Sequence, residues 1–368
     1  MVRNNSGSAA PSRFTDYPVE EHQKDYEPAR QYLRQQAASV KGLLGLYEYG
    51  SVAAPGISDI DLIAVIDDRV TAPEIADFLA GKDAPLHVMR VLDSGTIKPV
   101  SAELFSQIQI LGELNTTSIL ETDDPTKPMA LEDVDRFYID LANVVDWLPE
   151  RILMLRSLLD RPKLSTRRVL GGLGSFRHSL TTASRVLGSQ PKETKPFSTD
   201  YDRLRQNWFN NSQNDNFNST ISLINSGISV GCQLISLVTE RLLNLKIFAP
   251  NASVEGSIFW LNPTKSYNFS DLTSKSSQIS QNDCTLSIRV PNSWLSTFQT
   301  YAAQSGLISS LISSNIELHK GYSQYDSNER FHQILIERIN WCNNLSNFLE
   351  PLGLREFMYR FAHLRPRP

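Results

Sequence analysis

The sequence predicts an α/β unit over residues 26–125 followed by a mainly α-helical region over 126–368, with residues 1–25 as a disordered tail. Three observations carry this. Apolar runs bounded by Gly and Asp alternate with helix-patterned stretches up to about residue 125, the mark of an α/β arrangement. Beyond residue 130 the apolar residues recur at three- and four-residue steps, which is the period of a helix. The composition, with 40% apolar and 21% charged residues, is that of a folding chain, and 368 residues suffice for about two domains.

Charge narrows the function. Lys and Arg number 36 against 40 Asp and Glu, a formal charge of -4. Long nucleic acid is held through clustered cations that release counterions, so this balance disfavours such a partner. Cys232, Cys284 and Cys342 form no CxxC pair, which offers neither a zinc ribbon nor a disulfide framework and fits a reducing cytoplasm. Residues Met1 to Arg13 lack the apolar core of a secretory signal.

Within the first unit, Tyr32, Leu33 and Ala37 among Arg and Gln predict a helix from Tyr26 to Ala38, stopped at Gly42. The run Leu43–Tyr49 predicts a strand ending at Gly50-Ser51, and Ile60–Ile66 a buried strand closed by the solvated turn Asp67-Asp68. Thr71, with Glu74 three residues later, opens a short helix to Leu79. A third strand is expected at Leu86–Val91, then a helix near Ala102–Ile110 and a strand at Ser118–Glu121.

In the second unit Phe137, Leu141, Val144, Val145, Leu148, Ile152, Leu155 and Leu159 mark a long amphipathic helix, expected to break at Pro149. Gly171-Gly172-Leu173-Gly174-Ser175 reads as an interhelical loop before a helix over 175–187. The stretch Ile221–Val238 is apolar, but Ser222, Asn225, Ser226, Ser229, Gln233 and Ser236 favour a buried amphipathic helix over a membrane span. A strand at 256–261 pairing with 286–290, and helices at 331–348 and 355–361, complete the reading.

The chemistry lies at Gly50-Ser51 and, after seven residues, Asp59-Ile60-Asp61. Carboxylates at i and i+2 of a strand share a face and repel unless a cation lies between them. Mg²⁺ suits the pair, since it binds hard oxygens through one or two carboxylates together with substrate phosphates. Gly50 lets the backbone approach a phosphate, and Ser51 adds a hydroxyl and an amide donor. Asp59 and Asp61 are therefore the expected metal ligands and Gly50 and Ser51 the expected nucleotide contacts.

This constellation resembles the nucleotidyltransferase superfamily typified by DNA polymerase beta, including its minimal and antibiotic-modifying members. The resemblance rests on Tyr49-Gly50-Ser51, Ser58-Asp59-Ile60-Asp61-Leu62 and the later Gly112 to Asp123, and covers residues 26–125. It implies a small mixed sheet with helices on one side. It also implies transfer of a nucleoside monophosphate from a nucleoside triphosphate to a hydroxyl of a small molecule or protein. The family commonly places a third carboxylate on the next strand, where it helps hold the catalytic metal. Here His87 or Arg90 falls near that place on the expected strand, Asp93 would serve if the strand registers later, and Glu113 is a further candidate. Without a third carboxylate the resemblance implies a module that binds nucleotide, or docks a partner, without turnover.

Between Arg151 and Arg185 lie Arg156, Arg161, Lys163, Arg167, Arg168 and Arg177, opposed only by Asp160. From this local basic excess Arg167 and Arg168 are the expected phosphate contacts. The histidines show no HExxH spacing, so a zinc hydrolase finds no support.

Overall fold

The computed structural model describes residues 13–70, 73–92, 97–121, 127–159, 161, 163–247, 255–261, 284–291, 294 and 328–354. Glycine punctuation and apolar runs place the first elements: α1 (Gln23–Ser39), β1 (Leu43–Tyr49), β2 (Asp61–Ile66) and α2 (Pro73–Leu79). There follow α3 (Leu86–Val91), β3 (Lys98–Ser101), α4 (Ala102–Ser106), a 3-10 turn over Ile108–Leu111, and β4 (Thr116–Glu121). The four strands form one mixed sheet in the order β3-β2-β1-β4. β1 runs antiparallel to β2 and to β4, with Tyr49 opposite Asp61. β2 and β3 are parallel, Ile63 beside Lys98 and Val65 beside Val100. A parallel pair needs a crossover, which α2 and α3 supply.

The expected strand at Leu86–Val91 is a helix. Its buried residues are Val88 and Val91, with Leu92 next, while Leu86 is 67% exposed. That spacing is helical, whereas a strand would have buried alternate residues. Pro85 starts the turn, its carbonyl accepting from the amides of Val88 and Met89. A six-residue apolar run carries too little periodicity to tell the two states apart. The strand beside β2 is the four-residue segment starting at Lys98, so His87 and Arg90 are exposed helix residues and not strand residues at the cleft.

The sheet separates two groups of helices. Glu48 of β1 points to α1, where Arg30 binds it through two hydrogen bonds of 2.7 and 2.8 Å. Tyr47, on the other face, stacks on Phe105 of α4 at 4.7 Å between ring centroids.

The mostly helical remainder comprises α5 (Asp133–Leu159), α6 (Thr166–Leu187), α7 (Thr194–Gln206) and α8 (Gln213–Asn244), then α9 (Glu329–Leu349). An antiparallel pair, β5 (Glu255–Leu261) and β6 (Cys284–Pro291), precedes α9, as the sequence leads one to expect. The helix expected at 355–361 lies outside the described residues.

Two expectations give way to packing. α5 continues through Pro149 without a break, because Val145, Leu148, Ile152 and Leu155 on both sides of it are fully buried. That burial offsets the roughly 3 kcal/mol a proline costs inside a helix. The Gly171–Ser175 stretch lies inside α6 and is not a loop. A Cβ at Gly172 would stand 2.9 Å from Met154 of α5, and one at Gly174 would stand 2.6 Å from the Tyr201 hydroxyl of α7. These glycines are small so that helices can approach, not so that the chain can turn.

Gly227 and Gly231 of α8 work the same way against Leu155 and Ile152 of α5. By length and composition α8 is long and apolar enough to cross a membrane. Its apolar face, including Leu223, Ile224, Leu234 and Val238, is buried in the bundle. The expected tail ends early. Phe14 is 4% exposed and bridges Leu164, with Thr15 N–H donating to the Leu164 carbonyl at 2.9 Å.

Candidate functional site

The β1–β2 connection carries the sequence-predicted residues, and the sheet brings them to one end. Gly50 ends β1 at φ +79, a conformation that favours glycine. A Cβ there would meet the Asp61 Oδ2 at 3.8 Å, so the Gly50 backbone borders the carboxylate directly. Ser51 follows it and is exposed.

The loop then closes on itself and is fastened from two sides. Ser58 N–H donates to the Ala54 carbonyl at 2.7 Å, and Ala54 N–H donates to the Ser58 hydroxyl at 3.0 Å. From α1, the Tyr26 hydroxyl donates to the Ser58 carbonyl at 2.7 Å and accepts from Gly56 N–H at 2.9 Å. Burial holds the Tyr26 phenol above its ordinary pKa, which keeps it a donor. From α7, Arg205 donates to the Ser58 hydroxyl.

Asp59 and Asp61 emerge on one side. Ile60 and Leu62 are buried at 0% and 1% exposure, while the Asp59 and Asp61 side chains keep 26% and 35%. Each carboxylate meets a cation from a different element. Arg167, at the start of α6, donates to Asp59 at 3.1 Å and to the Leu92 carbonyl at 3.2 Å. Lys98, the first residue of β3, lies 3.0 Å from Asp61 Oδ1, and the Tyr49 hydroxyl approaches the same oxygen at 3.3 Å. Lys98 also donates to the Tyr49 hydroxyl. The two ion pairs differ in strength. Arg167 is 54% exposed and water screens it, whereas the Lys98 side chain is 6% exposed and little water screens its pair with Asp61.

The remaining candidates divide. Asp93 lies outside the described residues; its neighbour Leu92 bridges Ile60 and accepts from Arg167. Glu113 stands 3.9 Å from Arg185, at the far end of α6 from Arg167. Those arginines are eighteen residues apart, or about 27 Å along a helix axis, so Glu113 does not join the Asp pair. Of the basic stretch, Arg167 reaches Asp59. Arg168 is exposed one position around the helix, Arg177 pairs with Asp202 at 2.9 Å, and Arg185 binds Asp140 through two 2.6 Å hydrogen bonds. Among the described residues no group of three or more His, Cys, Asp or Glu gathers to hold a metal.

Lys98 and Arg205 escape the sequence reading. Lys98 has a recognisable signal, a single cation inside Ile97-Lys98-Pro99-Val100, but the strand expected at 86–91 had already claimed its place in the sheet. Arg205 has none, because its role comes only from the packing of α7 on the loop.

No protein-family model, curated protein or solved structure matches the chain. The reading of the site rests on its own chemistry. Two carboxylates, a glycine turn and three side-chain cations, Arg167, Lys98 and Arg205, gather at one sheet end.

Proposed function

We propose that this chain holds a nucleoside triphosphate, with Mg²⁺, at the Gly50–Asp61 end of its sheet, as a protein of the nucleotidyltransferase type. One observation carries the reading. The Gly50 turn lies against the Asp61 carboxylate while Asp59 and Asp61 emerge together, Asp59 beside the exposed Arg167 that a phosphate can take over and Asp61 beside the buried Lys98. The donor set fits one Mg²⁺, for two carboxylates with phosphate oxygens are an ordinary Mg²⁺ environment. Bound there, the ion would neutralise the triphosphate against the two acids.

The side chains divide the work. The Gly50 and Ser51 amides and the Ser51 hydroxyl donate to phosphate oxygens. Arg167, half in water and weakly held, moves from Asp59 to the phosphates, and the exposed Arg168 adds charge beside it.

Two readings share this site. In the first, a hydroxyl of a small molecule or protein attacks the α-phosphorus and pyrophosphate leaves, the helical region receiving the acceptor. In the second, nucleotide is held without turnover. The Lys98–Asp61 pair favours the second, since it sets a positive charge where a further acid is wanted.

Titration with fluorescent ATP and GTP analogues, with Mg²⁺ and with EDTA, tests the shared part. Saturable binding is expected, weakened at least about tenfold by EDTA and by Asp59→Asn with Asp61→Asn. Equal binding by a double variant of unchanged melting temperature contradicts the assignment.

A further inference from the structure

Lys98 owes its position to the backbone. It pairs with Ile63 across the parallel β2–β3 ladder, and Ile63 lies two residues beyond Asp61 on the same face. β3 is buried along its length and Lys98 is 5% exposed, so its side chain is enclosed beside Asp61 rather than out in solvent. A buried ammonium persists only beside a counter-charge, and Asp61 supplies it at 3.0 Å.

In-line displacement at phosphorus by two metal ions sets those ions about 3.5–4 Å apart, one on the attacking and one on the leaving oxygen. Asp59 and Asp61 are two acids. With an ammonium fixed on one of them, the positive charge a second ion would bring is already present, and the two would repel. An ammonium offers three donors and no open coordination position, so it binds a phosphate oxygen but does not activate a hydroxyl as a metal does.

We infer that Lys98 is a tethered cation in the place of a second metal ion, so that the site takes up one divalent ion with its nucleotide and holds the triphosphate uncleaved. This rests on the reading that the site binds a nucleoside triphosphate. It adds the number of ions and the reason for the missing turnover.

The test counts Mn²⁺ by electron paramagnetic resonance, alone and with a non-hydrolysable ATP analogue, in the full chain and in Lys98→Asp and Lys98→Met. One Mn²⁺ per wild-type chain with the analogue is expected, and two for Lys98→Asp, which also begins to hydrolyse ATP to AMP and pyrophosphate, water attacking the α-phosphorus as pyrophosphate leaves. Lys98→Met should bind Mn²⁺ alone at least about tenfold more tightly than wild type, because the competing charge is gone. Should Lys98→Asp not fold, the Met variant decides by itself. Two Mn²⁺ on the wild type, or Mn²⁺ affinity unchanged in Lys98→Met, overturns the inference. If no variant binds the analogue while Mn²⁺ affinity still rises in Lys98→Met, the nucleotide reading fails and the role of Lys98 as occupant of the metal position stands.

Discussion

Arg205 of α7 donates to the hydroxyl of Ser58, the residue immediately before Asp59. The bond joins the helical region to the loop that sets the first carboxylate, and the Arg205 guanidinium rests 5.4 Å from the Tyr201 ring centroid. Replacing Arg205 by Met removes a charge-assisted hydrogen bond but leaves the Ala54–Ser58 turn intact. Nucleotide affinity should fall about tenfold, the effect of roughly 1.4 kcal/mol. Calorimetric titration checks this, and wild-type affinity in Arg205→Met would remove the residue from the site.

The glycines of the bundle predict opposite effects from one kind of substitution. A Cβ at Gly231 would stand 2.6 Å from Ile152 and 3.1 Å from Phe176, so Gly231→Ala forces α8 away from α5 and should cost about 1–3 kcal/mol. Gly171 lies inside α6 with nothing within 4 Å of the same position. Gly171→Ala should therefore stabilise by about 0.5–1 kcal/mol through helix propensity alone. Denaturant unfolding of the two variants side by side reads both signs, and equal shifts would refute the packing account.

Between α5 and α9 the Asp146 carboxyl is pushed up to about 6 from its ordinary 3.8 by burial, with Arg338 3.9 Å away pulling it down. The folded protein therefore binds a proton here more tightly than the unfolded chain does. Between about pH 4 and pH 6 this group lowers stability as pH rises, and above about pH 6 the whole penalty is present. At about 1.4 kcal/mol per pKa unit the penalty is roughly 3 kcal/mol, less what the 16% exposure of the side chain screens. Asp146→Asn removes it. The variant should gain stability over wild type from pH 4 to pH 7, and parallel stability–pH curves for the two proteins would contradict the assignment.

How far these features show in the sequence depends on whether their cause is local. β1 and β2 were legible because apolar runs end at glycine or paired acids, and Gly50, Ser51, Asp59 and Asp61 came with them. The segment 86–91 was not, since its helical state is decided by which side meets the core. That misreading concealed Lys98, whose meaning depends on strand order. The Gly171–Ser175 run signals a turn locally and is overruled by neighbours that sit 18 residues before Gly172, or 27 after Gly174, in sequence. Arg167 stood out through a basic excess, but only the fold separates it from Arg177 and Arg185, which serve as struts between helices.

Arg167 and Arg205 both come from beyond residue 160, while the acids and the glycine turn they attend come from the first 61. Residues up to β4 carry the Asp pair and Lys98, but Arg167 on Asp59 and Arg205 on Ser58 come from the helices that follow. Two of the site's three side-chain cations are thus on loan from the bundle. The two parts of the chain cannot be exchanged for unrelated ones without stripping those cations from the carboxylate end, and any event that shifts the bundle against the sheet changes the charge that Asp59 and Ser58 meet.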